Sequence, residues 1–409
     1  MAGNLPDLCL HGIFNHLNDD DKTLYSCTFV NKRWSYSSIP VLWANPFELI
    51  KNLELFKPLL DTYFSFLPQN HLQKLEIKPR FNRNTMSFNY PVFFRHMNLL
   101  SIFRGIEYWC QKEPTYEEES YDALQKEVQI CEALVEYLFI HSSKIDTLVI
   151  RKFSYFDILN LSGSRNVLSK VHTLIFDNEL FANQSSTLSN LNQNFRSLTC
   201  YFEPPHYDSI DSLKQLIRSQ KNLIDITISE PQGDKLFPMF WEIFHSSINV
   251  TSTITFIEFE DIQFPRNIAL IYHLSSFTNL QYLKFNGCDL LGILFKEDQL
   301  IQEINSCRPL AFKKLNTIII IETPLTIELL KILLQLSGEE LRCLELLDMK
   351  IAKFNYIIKW LEVFCLKLRR LVVKDPSNKL EIVRIQDFFL KFDNLPYVII
   401  NGEKFTSLT

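Results

Sequence analysis

Ile145-Asp-Thr-Leu-Val-Ile150 and, 26 residues further on, Val171-His-Thr-Leu-Ile-Phe176 share one spacing, apolar-x-x-apolar-x-apolar. The same hexad starts again at Leu223, Ile254, Leu280, Leu315, Leu341, Leu368 and Leu395, and a weaker copy starts at Ser197 with Cys200 and Phe202. Successive starts differ by 26, 26, 26, 31, 26, 35, 26, 27 and 27 residues. Intervals that keep returning to 26 mark an internal repeat, and the two long ones read as a repeat with a longer loop. Side chains along a strand alternate between its two sides, so the apolar members of each hexad face inward and the intervening residues face out.

Between the hexads lie stretches with helical spacing: Ser209–Lys221 with Leu213, Leu216 and Ile217, then Thr326–Leu336, Phe354–Phe364 and Ile385–Phe392. A unit of 26–27 residues holds a strand, a loop and two or three helical turns. One such unit cannot bury its own apolar face, so neighbours must stack to make a core. The fold class expected is therefore α/β, with the repeats occupying 124–409 and the polar-tailed LPYVIINGEKFTSLT closing the array. Period and hexad resemble the leucine-rich-repeat family, which implies a solenoid of one strand plus one helix per repeat. The family places Asn or Cys three residues after the last inward strand position. Only Cys288 fits, and Phe153, Pro205, Pro231, Met349 and Pro376 stand at equivalent places, which predicts a broken polar ladder and uneven curvature.

The outward residues of the repeats starting at 171, 197, 223 and 254 are Thr173, Ile175, Asp177; Thr199, Tyr201, Glu203; Asp225, Thr227, Ser229; and Phe256, Glu258, Glu260. That set holds five acids and no base, flanked by Arg151 on one side and by Tyr282, Lys284, Arg370 and Lys374 on the other. It predicts a strip that takes a basic segment of a protein target, with Tyr201, Phe256 and Tyr282 as aromatic anchors and Glu203, Asp225, Glu258, Glu260 and Lys284 as charged contacts. Surface charge kept for solubility is the plainer account of the same residues.

Ahead of the repeats, Leu5-Pro6 opens a helix whose Leu10, Ile13, Phe14 and Leu17 form one stripe. Asn18 and Asp19–Asp21 offer N-caps for a second helix, Leu24, Cys27, Val30 and Trp34 continue the spacing, and Pro40 marks an end. A hairpin of about 40 residues buries too little surface to stand alone, and apolar residues are left over on several of its faces. These residues resemble the F-box motif: Leu5-Pro6, Ile13-Phe14 with Leu17, Asp20-Asp21, Val30 with Trp34, and Leu42-Trp43 fill its places in order. The resemblance covers about a tenth of the chain. It implies docking onto the Skp-type adaptor of a cullin-RING (SCF-type) ubiquitin ligase through Leu5, Pro6, Ile13, Phe14 and Leu17. Residues 1–47 are thus the adaptor-binding domain, and 48–123 a helical linker. Within that linker Leu72-Gln-Lys-Leu-Glu-Ile77 reads as a strand and possible degenerate repeat, 81–110 reads as helical, and the acidic run 113–122 as a solvated loop.

Other function classes are disfavoured by what the chain holds. A net charge of −5 supplies no clustered basic surface for nucleic acid. The nine cysteines lack C-x-x-C spacing, the nine histidines are dispersed, and no nucleotide-binding, hydrolase or zinc-protease motif occurs. No cofactor, metal or catalytic residue is expected. Glu258 and Glu260 share one side of a strand, a pairing that acid–base work needs, but they have no third partner in the sequence. No secretory leader or membrane span is read, and the sequons at Asn160, Asn183 and Asn249 count as chance, which predicts an intracellular protein of cytoplasm or nucleus. The expectation is a non-catalytic substrate receptor of the ligase. The alternative is a repeat scaffold or inhibitor whose hairpin only caps the array.

Overall fold

The computed structural model describes residues 5–17, 20–50, 52–112, 121–177, 187–202, 210–230, 248–264, 273–290, 312–324, 326–338, 340–348, 354–375, 395 and 397–406. The fold is mixed α/β, with twelve strands among the described residues, mostly parallel and ending in an antiparallel final pair. Two compact units divide the chain, Met1–Phe176 and Asp177–Thr409.

The first unit opens with three short helices, α1 (Asp7–Asn15), α2 (Asp21–Cys27) and α3 (Lys32–Leu42). Pro40 lies inside α3 rather than at its end. Next come α4 (Pro46–Leu49), α5 (Phe56–Phe64) and α6 (Gln69–Lys74). Phe56, Leu59, Leu60, Phe64 and Leu67 are buried together, as their helical spacing demands. Asp61, also buried, accepts a hydrogen bond from the Trp109 indole at 2.9 Å.

The strand expected at 72–77 is instead the end of α6. The Ile77 N–H donates to the Leu72 carbonyl and the Glu76 N–H to that of Gln73, while Glu76 is left-handed at φ 56°. This is a Schellman cap, whose apolar contact joins the third residue from the helix end to the second beyond it. Buried Leu72, Leu75 and Ile77 therefore imitate the hexad without belonging to it.

A repeat the sequence concealed lies further on, inside the stretch read as helical. Strand β1 (His96–Asn98) pairs in parallel with β2 (Thr147–Ile150), Met97 opposite Leu148. Extending that register makes Phe94-x-x-Met97-x-Leu99 the counterpart of Ile145-x-x-Leu148-x-Ile150, and all six side chains are buried. Helices α7 (Leu99–Gln111) and α8 (Tyr121–His141) connect the two strands, with α9 (Ser164–Leu168) between β2 and β3 (Thr173–Asp177), which pairs with β2 one repeat on.

In the second unit β4 (Ser197–Tyr201), β5 (Asp225–Ser229), β6 (Phe256–Glu260), β7 (Tyr282–Asn286), β8 (Thr317–Ile321), β9 (Cys343–Leu347), β10 (Arg370–Lys374) and β11 (Tyr397–Ile400) pair in chain order, all parallel. Every ladder joins the same position of successive hexads, because slipping by one residue would expose an entire apolar set. The register corrects the weak copy. Leu198 faces Ile226 and Cys200 faces Ile228, so that hexad begins at Phe195, not Ser197. Buried Phe195, Leu198 and Cys200 are its inward members. The helices α10 (Ile210–Ser219), α11 (Ile248–Thr253), α12 (Ile327–Ser337) and α13 (Phe354–Phe364) lie between strands; three of them match the helical stretches read from spacing, and the fourth such stretch, 385–392, is outside the described residues.

Two regularities follow the strands, one of them unannounced by the spacing and the other marked in advance only at Cys288. The residue eighth from the hexad start is left-handed in five repeats, at Lys152, Asp261, Gly287, Glu322 and Asp348, with φ between 47° and 62°, but not at Phe202, Glu230 or Asp375. One position further on, Cys288 and Thr323 form a short polar ladder. The Thr323 hydroxyl accepts from the Cys288 N–H and donates to the Ile321 carbonyl, and the Cys288 thiol donates to the Phe259 carbonyl.

Gly338 ends α12 where a Cβ would run into the backbone oxygens of Phe364 and Leu334. Backbone cannot step aside as a side chain can, so Gly338→Ala is expected to cost about 1–3 kcal/mol. Urea unfolding checks this, and an unchanged midpoint would show that the α12 and α13 ends part freely.

Candidate protein-binding surfaces

The N-terminal helices close on a small core of Leu10, Phe14, Leu24 and Cys27, against which Leu5, Leu17, Trp34, Val41 and Leu42 pack partly buried. Phe14 meets Trp34 edge-on at 5.4 Å. Asp20 caps α2 through the Thr23 N–H, and the Thr23 hydroxyl and N–H together hold its carboxyl below the ordinary aspartate value. Asn31 caps α3 through the Trp34 N–H, and Arg33 reaches back to Asp7 at 2.6 Å. Capping and core thus fix three helices whose outer surface is free to carry something else.

Of the five residues expected to face an adaptor, Phe14 is wholly interior, Leu5 and Leu17 are half-buried against that core, and Pro6 and Ile13 are exposed. The spacing put Ile13 and Phe14 on one stripe, yet only Phe14 turns inward. Sequence reading missed the most exposed apolar side chains here: Leu8 at 87% and Phe29 at 71%, with Tyr25 and Tyr36 also open. Val30, read as part of the second stripe, is open as well. Tyr25 and Phe29 lean edge to face at 5.0 Å. They fall between the periodic positions, so nothing flags them until the core is known.

In the second unit, the register sets Ser197, Asp225, Phe256, Tyr282, Thr317, Cys343 and Arg370 side by side as one outward row. The next row holds Thr199, Thr227, Glu258, Lys284, Ile319, Glu345 and Val372. The Phe256 and Tyr282 rings stack at 4.8 Å with 24° between planes. Glu258 and Lys284, directly opposite across β6 and β7, pair at 2.6 Å. Glu345 holds Arg370 at 2.7 Å, Arg370 also reaches the Tyr397 hydroxyl, and Lys374 pairs with Asp348 at 2.9 Å.

The strip of free acids foreseen from the spacing is therefore reduced. Glu258 is answered by Lys284, and Asp177 and Ser229, the last residues of β3 and β5, are buried. Glu203 lies outside the described residues, and the corrected hexad start replaces it with Ser197 as an outward position. Tyr201 and Glu260 stand half-buried at the strand ends. Phe256, Tyr282, Glu258, Lys284 and Asp225 do come together. Burial raises the Tyr282 hydroxyl, helped by the negative charge of Glu345, and burial alone pushes the Asp225 carboxyl up. Glu345 escapes the sequence reading because it lies beyond the repeats from 171 to 254, where the acids cluster.

Among the described residues no group of three His, Cys, Asp or Glu side chains is arranged to hold a metal, and no helix is long and apolar enough to cross a membrane. Burial pushes the Cys288 and Cys365 thiols up to about 12 and that of Cys343 to about 11, which keeps them protonated at neutral pH. No family model matches the chain, and no curated protein matches it.

Two measurements check these electrostatics. Burial raises the Asp225 carboxyl in the folded chain above its unfolded value, so folding works against its charged form. Asp225→Asn should therefore be more stable than the wild type at pH 7, and the gain should vanish as pH falls through the raised value to that of free aspartate; equal stability at all pH would refute the assignment. For Glu258 and Lys284, a double-mutant cycle with Glu258→Gln and Lys284→Met should give a coupling of about 1 kcal/mol or more. Additive effects in chemical denaturation would show the pair contributes nothing.

Proposed function

We propose that this chain is a non-catalytic substrate-recognition subunit of an SCF-type ubiquitin ligase, with an F-box at its N-terminus and leucine-rich repeats behind it. The observation that carries the reading is the pairing of a closed core with a greasy exterior on the first three helices. Leu10, Phe14, Leu24 and Cys27 already satisfy the fold, yet Leu8, Ile13, Tyr25, Phe29, Val30 and Tyr36 remain exposed. Apolar surface in that amount, beside a motif of F-box spacing, is suited to a partner's groove. The Skp-type adaptor is that partner, and through it the cullin-RING enzyme.

The repeat reading is supported by the uniform register of the parallel strands, a left-handed residue that recurs at the same position of five repeats and the Cys288–Thr323 ladder. A protein target binds the outward rows, where the Phe256–Tyr282 stack is followed by half-buried Ile319, Ile321 and Leu347. The receptor transfers no ubiquitin itself. It acts by raising the effective concentration of its target near the charged enzyme.

Co-purification with a recombinant Skp-type adaptor tests the assignment. Each large apolar side chain buried on docking is worth about 1.5–3 kcal/mol. Leu8→Glu and Ile13→Glu together should abolish capture while leaving the melting temperature unchanged, since both side chains are exposed. Failure of the wild-type chain to capture adaptor would leave the scaffold reading in its place.

A further inference from the structure

Among the described residues of the two outward rows, Asp225 is a charge that its neighbours leave unanswered. Asp225 stands in the outward row between Ser197 and Phe256 and is half-buried. Among the described residues, nothing donates a hydrogen bond to its carboxylate and no base stands beside it; desolvation is all that acts on it. Nearby carboxylates are answered, Glu258 by Lys284, Glu345 by Arg370 and Asp348 by Lys374.

Its neighbour in the row completes the picture. Phe256 gives one ring face to Tyr282 on β7, and the strand order puts the other face on the β5 side, where Asp225 stands. Among the described residues no second ring covers that face. An aromatic face attracts positive charge over its centre, and a carboxylate without a counter-ion attracts it along its edge. The two attractions meet in the space of one strand separation, about 4.8 Å.

We propose that Asp225 and the β5-side face of Phe256 form a subsite for an arginine side chain presented by a protein target. This rests on the reading that the outward rows hold the target, and it names the side chain they recognise. A guanidinium is planar, so it lies flat on the ring while its N–H edge meets the carboxylate; an ammonium, compact and strongly hydrated, serves one contact at the expense of the other. Tyr282 stiffens the Phe256 platform from behind. Lys284, by neutralising Glu258, leaves Asp225 as the charge the incoming group can satisfy. The charge pairing offsets the desolvation penalty that Asp225 carries in the free protein.

The test uses the full chain with N-acetyl-arginine amide, N-acetyl-lysine amide and N-acetyl-citrulline amide as probes, read by ligand-observed saturation-transfer NMR at low salt. The arginine amide is expected to bind at millimolar concentration and more tightly than the other two. Asp225→Asn and Phe256→Leu should each weaken it by about tenfold or more. Thermal melts run alongside show that the variants are folded; if Phe256→Leu melts early, the nearly isosteric Asp225→Asn decides alone. Equal arginine binding by wild type and Asp225→Asn overturns the subsite, as does a lysine or citrulline amide that binds as well as arginine, or no arginine signal from the wild type. Adaptor capture is scored separately on the same preparations: capture without arginine binding removes this subsite and keeps the ligase reading, and arginine binding without capture does the reverse.

Discussion

Parallel strand pairing in one uninterrupted register is the constraint on which the rest of the second unit depends. No hexad of this chain can hide its three apolar side chains alone; each needs the strand before and the strand after at the same height. Ile226 stands opposite Ile257, Leu283 opposite Ile318, and Leu344 opposite Leu371, all buried. Once those inward positions are locked, the outward ones have no freedom of their own. Phe256 must lie beside Tyr282 and Glu258 beside Lys284, because the chain has already been aligned by what lies underneath. The surface chemistry is a by-product of core registration.

The N-terminal helices follow a different rule. Three short helices share a handful of buried side chains, and capping by Asp20 and Asn31 substitutes for the length they lack. Large apolar side chains, Leu8 and Phe29 foremost, are left outside their core. In α5 and α7 the same kind of side chain turns inward: Tyr63, Phe64 and Trp109 are buried, and the Trp109 indole donates to Asp61.

Much of this was legible in the chain. Strong inward residues such as Leu, Ile and Val at fixed spacing announced nine of the strands, and the helical stretches at 326–336 and 354–364 fell where α12 and α13 stand. What failed did so for local physical reasons. Phe94, Met97 and Leu99 form a hexad with an Arg-His pair inside it, at 51 residues from Ile145, twice the usual interval, so no neighbour at 26 residues pointed to it. Leu72, Leu75 and Ile77 copied the hexad because a helix cap happens to need apolar residues at similar offsets. Around 197 two overlapping choices of apolar residues competed, and only hydrogen-bonded pairing with β5 separates them. The left-handed position after the strand escaped notice because Lys152, Asp261, Glu322 and Asp348 occupy it as well as Gly287. For the candidate surfaces, identity of the residues was readable but their mutual neutralisation was not. Lys284 looks like a flanking base until Glu258 is seen 2.6 Å away.

One small feature governs how the parallel run finishes. Asn401 and Gly402, both left-handed at φ 50° and 87°, reverse the chain in the manner of a type I′ turn, and β12 (Glu403–Thr406) lies antiparallel on β11. Without that fold-back, β11 would offer a bare row of amide and carbonyl groups, the template on which strands of separate molecules add to one another. The returning strand is half polar, carries Glu403 and Lys404, and lays the Lys404 ammonium 4.3 Å from the Tyr397 ring. Charged residues make a poor seed for further growth, so the hairpin acts as a guard against self-polymerisation through this margin of the sheet.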